Sequence, residues 1–295
     1  MHHFGQGIVP TADTFGAQGR PPTHLELLNW LAGEFVRRGW SFKEMHRLIL
    51  TSATWQQSLA DSVQYSVTSN QSGNSSAKRL PLNTDLLNTE YPKPLAVDPA
   101  NTLYWRFPRH RLDAESMRDA SLFVSGRLKT GNPGAHPFPK PNDKNEYHFT
   151  QHRPFLADSS HEYRSVYLPS RRLGKHPYME LFDGPNPNEC NARRPVSTVP
   201  LQALFWMNSD FIRDNARALA ARVLFAGKQP EDRLRHATQL AYNRPPTKDE
   251  LTDLTAYAKD YAKSVDSKDA TEKDLRVWTS VCRLLLSANE FVYLD

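Results

Sequence analysis

The sequence contains few cysteines and no long hydrophobic run, and each shortage excludes a class of protein. Its two cysteines, Cys190 and Cys282, stand in no CxxC or CxxCH pattern, so this chain by itself builds neither a zinc knuckle nor a haem attachment site. No apolar run reaches the ~18 residues that a membrane-spanning helix needs. Residues 1–5 also lack the basic and apolar regions of a signal peptide. The residues therefore predict no membrane span and no cofactor in this chain.

The two cysteines are predicted to be unpaired thiols. Cys282 lies on the apolar stripe of a predicted helix, whereas Cys190 lies in a loop. A disulfide requires Cα atoms within roughly 7 Å, so the prediction is that these two residues lie further apart.

Neither sign of charge dominates the chain. It has 37 Lys and Arg against 32 Asp and Glu, and the net charge of +5 is the small difference between them. The basic residues are spread along the chain, whereas nucleic-acid-binding domains collect them in a patch or stripe. The sequence therefore argues against nucleic acid as a partner.

Helical periodicity is the main structural signal that is present. Three Ser/Thr-x-x-Glu capping boxes, beginning at Thr23, Ser41 and Thr247, each stand before an apolar stripe at helical spacing. Residues 200–295 are patterned as successive helices. These patterns predict a mainly α fold of about seven helices, formed by a single irregular domain over residues 1–295 with long Pro-rich loops and one or two short strands.

The middle of the chain lacks this periodicity. Residues 61–97 are rich in Ser, Asn, Thr, Gln and Pro and predict a polar surface excursion. Residues 131–195 form an irregular segment rich in Pro and Arg. Within it, residues 164–169 (RSVYLP) are the best strand candidate because they are rich in β-formers.

Three carboxylates are the candidates for catalysis. Glu115 and Asp119 stand four residues apart on one predicted helix face, and Asp183 lies in the irregular segment. Paired carboxylates can hydrolyse glycosidic bonds when their surroundings push their pKa values apart. Arg118 stands between the first two, however, and a neighbouring cation keeps carboxylates ionised. We therefore favour an ion-pair network at this helix and keep acid–base catalysis as the alternative.

Four arginines in the irregular segment are candidates for binding an anion: Arg171, Arg172, Arg193 and Arg194. The planar fork of Arg binds carboxylate, sulfate or phosphate with two parallel hydrogen bonds. Several on one extended segment could therefore bind a sulfated or acidic glycan. We favour the other interpretation, in which they pair internally, because a segment with few backbone ladder bonds needs side-chain partners.

Three histidines are candidates for metal binding. His148 and His152 have the spacing of two ligands on one helical turn, and His161 follows close behind. Such a set could hold zinc or copper. Pro154 and the lack of periodicity argue against an ordered scaffold, so we favour a solvated loop and predict no metal site.

Several ordered strings along the chain resemble one family. They include HHFGQGIV at residues 2–9, FGAQGRPPTHLELLNWLAGEFV at residues 15–36, GWSFKEMHRLILTSATWQQS at residues 39–58 and CNARRPVSTVPLQALFWMNSDF at residues 190–211. The strings resemble the planctomycete-type domain of unknown function that stands at the C-terminal end of large exported proteins, which also carry a planctomycete-type cytochrome c domain.

The resemblance implies export to the periplasm or cell surface, with haem c in an upstream domain rather than in this chain. It also implies that the chain begins inside a longer pattern, so we expect an N-terminally truncated fragment. The leading hypothesis is a non-catalytic interaction or scaffold module of an exported multidomain cytochrome c-type protein, whose partners are its other domains. The alternatives are a hydrolase or binding domain for anionic polysaccharide, sulfated or acidic, and a metal-dependent redox accessory.

Overall fold

The structure is a computed structural model, and it describes residues 1–57, 94–134, 161–170, 172, 174–190 and 193–294. These residues are mainly helical, so the predicted fold class is confirmed. They form two compact units, Met1–His110 and Arg111–Leu294. The polar excursion predicted at residues 61–97 lies outside the described residues except for its last four.

In its described residues the first unit contains three helices: α1 (Leu25–Arg37), α2 (Phe42–Leu50) and the short α3 (Pro94–Val97). Gly39, with a φ of +66°, ends α1 in a Schellman motif, because the next amide N–H, that of Trp40, donates to the Phe35 carbonyl at 2.9 Å. The Trp40 ring packs on Phe35 with ring centroids 5.2 Å apart, which is the apolar contact that often accompanies this motif. Ser41 then begins α2, its hydroxyl accepting the Glu44 amide N–H at 3.3 Å.

The interior of the first unit is small and aromatic. Tyr104 and Phe107 are buried. Trp55 packs edge-on against Phe107 with ring centroids 4.9 Å apart, and Phe4 lies 5.1 Å from Tyr104. Neither α1 nor α2 contributes a fully buried residue to this interior.

The second unit is built from eight helices within the described residues: α4 (Ala114–Ser125), α5 (Pro177–Leu181), α6 (Pro200–Asn208), α7 (Asp210–Ala226), α8 (Pro230–Tyr242), α9 (Lys248–Ser264), α10 (Ala270–Ser287) and α11 (Asn289–Val292). A two-stranded sheet joins β1 (His110–Arg111) to β2 (Tyr293–Leu294). The helices α6 to α11 occupy the residues that the sequence patterned as helical.

α7 is the central helix of the second unit. It packs most extensively against α10, and also against α4 and α8. Ser209 begins it, since the Ser209 hydroxyl accepts the Ile212 amide N–H at 3.3 Å. Five of its side chains repeat at helical spacing and have no exposed surface: Ile212, Ala216, Leu219, Ala220 and Val223. The core of the unit is therefore arranged around one fully buried stripe.

The strand predicted at residues 164–169 is wrong. Ser165–Tyr167 form a 3-10 helix instead. The carboxylate of Asp119 on α4 accepts the Ser165 amide N–H at 2.7 Å. A side chain thus takes the backbone donor that a neighbouring strand would otherwise bind, and the β-forming residues have no ladder to join.

Candidate functional site

Two of the candidate carboxylates, Glu115 and Asp119, lie on the first two turns of α4. Asp113 caps this helix, its carboxylate accepting the Ser116 amide N–H at 2.8 Å. Glu115 and Asp119 follow one turn apart on one face. Arg118 stands between them in the chain, and it is only 5% exposed. The helix thus offers two carboxylates and a buried guanidinium to the irregular chain packed on it.

Arg118 and Asp119 bind the 3-10 helix by its backbone. The Arg118 guanidinium donates to the carbonyls of His161 and Tyr163, the latter at 3.0 Å. Asp119 accepts both the amide N–H and the hydroxyl of Ser165, each at 2.7 Å. Burial lowers the pKa of Arg118, and the nearby Asp119 carboxylate opposes that shift. Because these bonds satisfy backbone groups that lack ladder partners, they tie the segment to α4.

Arg194 reaches Glu115 from the far end of the irregular segment. The Arg194 Nη1 lies 2.6 Å from the Glu115 Oε2, across 79 residues of sequence. This hydrogen bond raises the pKa of Arg194. Both side chains are partly exposed, so solvent screens the pair and it contributes less than a buried one.

The other candidate anion-binding arginines have different surroundings. Arg172 and Arg193 are exposed, and neither meets a carboxylate among the residues that the structure describes. The Arg172 backbone is tied to the next loop, because the Asn188 side chain donates to its carbonyl at 3.0 Å. Arg171 lies outside the described residues. Anion binding by the four arginines stays a prediction.

Asp183 lies in the densest polar network of the irregular segment. It accepts the amide N–H and the hydroxyl of Ser197, each at 2.8 Å, and the guanidinium of Arg111 at 2.6 Å. Arg111 also donates to Gln202 at 3.0 Å. Burial by itself would raise the pKa of Asp183, but the hydrogen bonds from Ser197 and Arg111 outweigh it and hold that pKa below its usual value.

These contacts bear on the chemistry that the carboxylates can perform. A general acid must hold a proton near neutral pH, which requires a raised pKa. Asp183 has the opposite shift, and Glu115 and Asp119 each accept hydrogen bonds from fixed donors. The geometry therefore favours attachment of loops to helices over proton transfer, while acid–base catalysis by these three residues stays a prediction.

A pocket of about 80 Å³ opens beside Glu115. Its polar lining comprises Glu115, Ser165, Ser170, Lys175 and His176, and Leu168 and Met179 are among its apolar residues. The His176 Nδ1 accepts the Tyr178 amide N–H at 3.2 Å and caps α5. A volume of this size holds a few water molecules or a small polar group. Sequence reasoning missed Lys175 and His176, because no spacing motif marks residues that only loop packing brings together.

The candidate metal ligands are not assembled in the described chain. His148 and His152 lie outside the described residues. The ring of His161 contacts that of Tyr163 with centroids 5.9 Å apart. Across the described ranges no group of three or more His, Cys, Asp or Glu side chains could hold a metal ion. Whether His148, His152 and His161 together bind a metal therefore stays untested.

Both cysteines are free thiols, as predicted. Cys190 is exposed, whereas Cys282 is completely buried on α10 and burial raises the pKa of its thiol. A buried thiol of raised pKa is unreactive at neutral pH. Cys282 therefore serves the core as a small apolar side chain.

The first unit exposes an apolar surface, which we call the α1–α2 surface. It consists of Leu25, Ala32 and Val36 along one strip of α1, followed by Trp40 and Phe42 at the turn into α2. Trp40 is 64% exposed and Phe42 is 73% exposed. Both rings pack on Phe35, each with centroids 5.2 Å from it. Phe35 thus supports both aromatic rings on one side, and the other side of each ring is exposed to solvent.

In the second unit, Arg–carboxylate and Ser–carboxylate bonds attach irregular loops to α4, and Gln202 of α6 binds Arg111 and the Leu181 carbonyl. The chain belongs to the PSD1 family of proteins of unknown function (DUF1553), whose model matches residues 1–258. No curated protein and no solved structure matches it. In the part of the chain that is described, no helix has the length and apolarity needed to cross a membrane.

Proposed function

We propose that this chain is a non-catalytic interaction or scaffold module of a larger exported protein that also carries a cytochrome c-type domain. The observation that carries the proposal is the α1–α2 surface, which lies on two helices that bury none of their own residues. Large exposed apolar patches on soluble domains mark contacts with other proteins or domains. The partners are then the other domains of the parent protein.

The polar contacts of the second unit support the non-catalytic part of the proposal. Each of the three candidate carboxylates, Glu115, Asp119 and Asp183, accepts a hydrogen bond from an arginine, a serine or a backbone N–H. At Asp183 these bonds hold the carboxyl pKa below its usual value. The same bonds attach irregular chain to helices, which is a requirement of a scaffold.

Hydrogen–deuterium exchange on this chain alone and on the full-length gene product tests the proposal. Covering the α1–α2 surface must protect the helices beneath it. We expect exchange in α1 and α2 to slow by at least about tenfold in the full-length protein, with no change in the buried α7. Equal exchange of α1 and α2 in the two proteins contradicts the proposal.

A pair of variants assigns the protection to the surface itself. Trp40→Asn removes its largest side chain, and Asn tolerates the left-handed backbone that Trp40 adopts at a φ of +61°. Phe225→Asn is the control, because Phe225 is also an exposed aromatic residue but lies in the second unit. Protection of α1 and α2 should fall in the first variant only.

Binding or hydrolysis of anionic polysaccharide is the second candidate function. The observation in its favour is that Arg172 and Arg193 are exposed and lack a carboxylate partner among the described residues. An exposed guanidinium is free to bind a sulfate or carboxylate group with two hydrogen bonds. Lys175 lines the pocket beside Glu115 and adds a cation that could contact such a group.

Heparin-column retention separates the two functions. Under the polysaccharide function, Arg172→Ala and Arg193→Ala should each elute at lower salt than wild type, because each substitution removes a guanidinium whose attraction to sulfate depends on salt. Arg235→Ala is the control, since Arg235 is exposed on α8 far along the chain from the irregular segment. Unchanged elution of the first two variants leaves the scaffold function as the better account.

A further inference from the structure

α6 has an unusual composition for a helix at a surface. Residues 195–209, which contain it, include no Asp, Glu, Lys, Arg or His. A helix that is apolar on all sides normally lies inside a protein. The inner face of α6 follows this rule, since Gln202 and Trp206 are buried, but Leu201, Leu204 and Met207 are 64%, 52% and 57% exposed. The helix therefore has an apolar face that the described residues of the second unit leave exposed.

The uncovered side chains form one continuous row. Leu201, Leu204 and Met207 stand three residues apart, which places them along a single ridge of the helix surface. Val196 and Val199 precede the helix and are also exposed. We call these five residues the α6 outer face. Together they present on the order of 500 Å² of apolar surface, which is near the upper limit for a typical monomer.

The lack of charge on the α6 outer face limits the classes of molecule that can bind to it. Nucleic acid, sulfated glycan and anionic lipid are bound through Lys and Arg among the contacts, and the face has neither. An apolar, uncharged face fits another apolar, uncharged face, with charge excluded from the centre of the contact. The occupant is thus a protein surface of the same character.

The charges at the two ends of the face are of opposite sign. Arg193 precedes it and is exposed, and Asp210 follows it with 80% of its side chain exposed. The Asp210 carboxylate meets only a local partner, Arg213, among the described residues. If two such faces meet antiparallel about a two-fold axis, the basic end of each lies at the acidic end of the other. The face is therefore complementary to itself in charge.

We propose that the α6 outer face is the interface of a homodimer with an antiparallel α6 pair. Leu204 lies at the two-fold axis against Leu204 of the second copy, and Leu201 packs against Met207 of the second copy. Arg193 of each copy faces Asp210 of the other. This interface uses the second unit and is independent of the α1–α2 surface on which the scaffold function rests.

The size of the face sets the expected strength. A standard stable interface buries about 800 Å² on each partner, which is more than the apolar row supplies by itself. We expect a reversible dimer with a dissociation constant of about 1–100 micromolar. Sedimentation equilibrium and light scattering behind gel filtration, over a concentration range that spans these values, measure it on the whole chain.

A charge exchange tests the antiparallel arrangement. In homodimers of Arg193→Glu, two acidic side chains face each other at both ends, and in homodimers of Asp210→Arg two basic ones do. We expect each variant to be monomeric at concentrations where wild type is dimeric. A 1:1 mixture restores opposite charges at both ends, so we expect it to form heterodimers. Restoration also shows that both variants are folded.

Leu204→Glu tests the apolar centre, with Phe225→Glu as the matched control for an exposed apolar side chain outside the face. We expect the first to be monomeric and the second to dimerise like wild type. A wild-type chain that stays monomeric up to about 1 millimolar overturns the proposal, as does a dimer that survives Leu204→Glu. A dimer that survives both charge variants, or single variants whose mixture stays monomeric, overturns the antiparallel arrangement.

Discussion

α1 in the first unit and α7 in the second both carry regular apolar stripes, yet the two helices end in different surroundings. The stripe of α7 is fully buried, whereas α1 has no buried residue at all. α7 packs against α10, α4 and α8, while α1 has α2 as its main helical neighbour among the described elements. An apolar stripe therefore predicts that a helix packs against an apolar surface. It does not predict whether that surface belongs to the same unit.

Truncating one leucine in each stripe tests most directly whether the two stripes contribute differently to stability. Leu219→Ala on α7 should lower the free energy of unfolding by about 2–5 kcal/mol, because it leaves a cavity in a fully buried core. Leu25→Ala on α1 should change it by less than about 0.5 kcal/mol, since this leucine is 58% exposed. Urea denaturation followed by circular dichroism measures both. Equal losses would mean that the two stripes are packed alike.

Carboxyl groups within the second unit also differ in what a lowered pKa means for stability. Glu250 at the start of α9 accepts hydrogen bonds from Arg244 at 2.7 Å and 2.8 Å, and these, with the Thr247 amide N–H, hold its pKa at about 2 against burial. Its stabilising contribution is complete above the ordinary value near 4.5 and is lost as pH falls toward 2. We expect a loss of about 1–2 kcal/mol over that range, discounted for partial exposure.

Unfolding measured between about pH 5 and pH 2, with Glu250→Gln as the variant, checks this expectation: the variant should show a flatter pH dependence than wild type. Asp260 on α9 is the control, because a hydrogen bond from Lys263 also lowers its pKa but 73% of its side chain is exposed. Asp260→Asn should leave the pH dependence nearly unchanged, since exposed ion pairs contribute little. A flat wild-type profile would refute the role assigned to Glu250.

The smallest expected change in stability concerns a buried hydroxyl group in the core of the second unit. The Tyr178 hydroxyl is buried, and no hydrogen-bond partner for it exists among the described residues; burial raises its pKa. Tyr178→Phe should therefore keep or raise the free energy of unfolding, by up to about 1 kcal/mol. Tyr257→Phe should lower it by about 1 kcal/mol, because the Tyr257 hydroxyl bonds to Ser280 at 2.6 Å. Thermal melts of both variants decide, and a Tyr178→Phe protein that is clearly less stable would indicate an ordered water or ligand on that hydroxyl.

Local signals predicted those features that local contacts decide. Thr247 and Glu250 form the predicted capping box, and Ser209 begins α7 as its sequence position indicates. The capping box at Thr23 is the exception. Its hydroxyl donates to the Ile8 carbonyl at 3.2 Å, so His24 becomes the N-cap and α1 begins without a side-chain cap. A contact with a residue fifteen positions earlier outcompeted the local one.

The sequence predicted which residue types form the candidate site, but it did not predict which side chains bind each other there. The sequence places Glu115, Arg118 and Asp119 on one helix, which is enough to expect ion pairs there. It does not indicate that Arg111 and Ser197 bind Asp183, because these pairs are 72 and 14 residues apart. The pocket beside Glu115 was missed for the same reason, since its lining comes from separate loops.

By itself the sequence determined the helical class, the family, the free cysteines and the neutral character of α6. Each of these depends on composition or on spacing within one or two helical turns. The tertiary structure decided which guanidinium meets which carboxylate, which apolar stripe is buried, and that residues around Ser165 form a 3-10 helix on α4. Those outcomes require chain closure over tens of residues, and they are settled by which groups remain unpaired once the helices have packed.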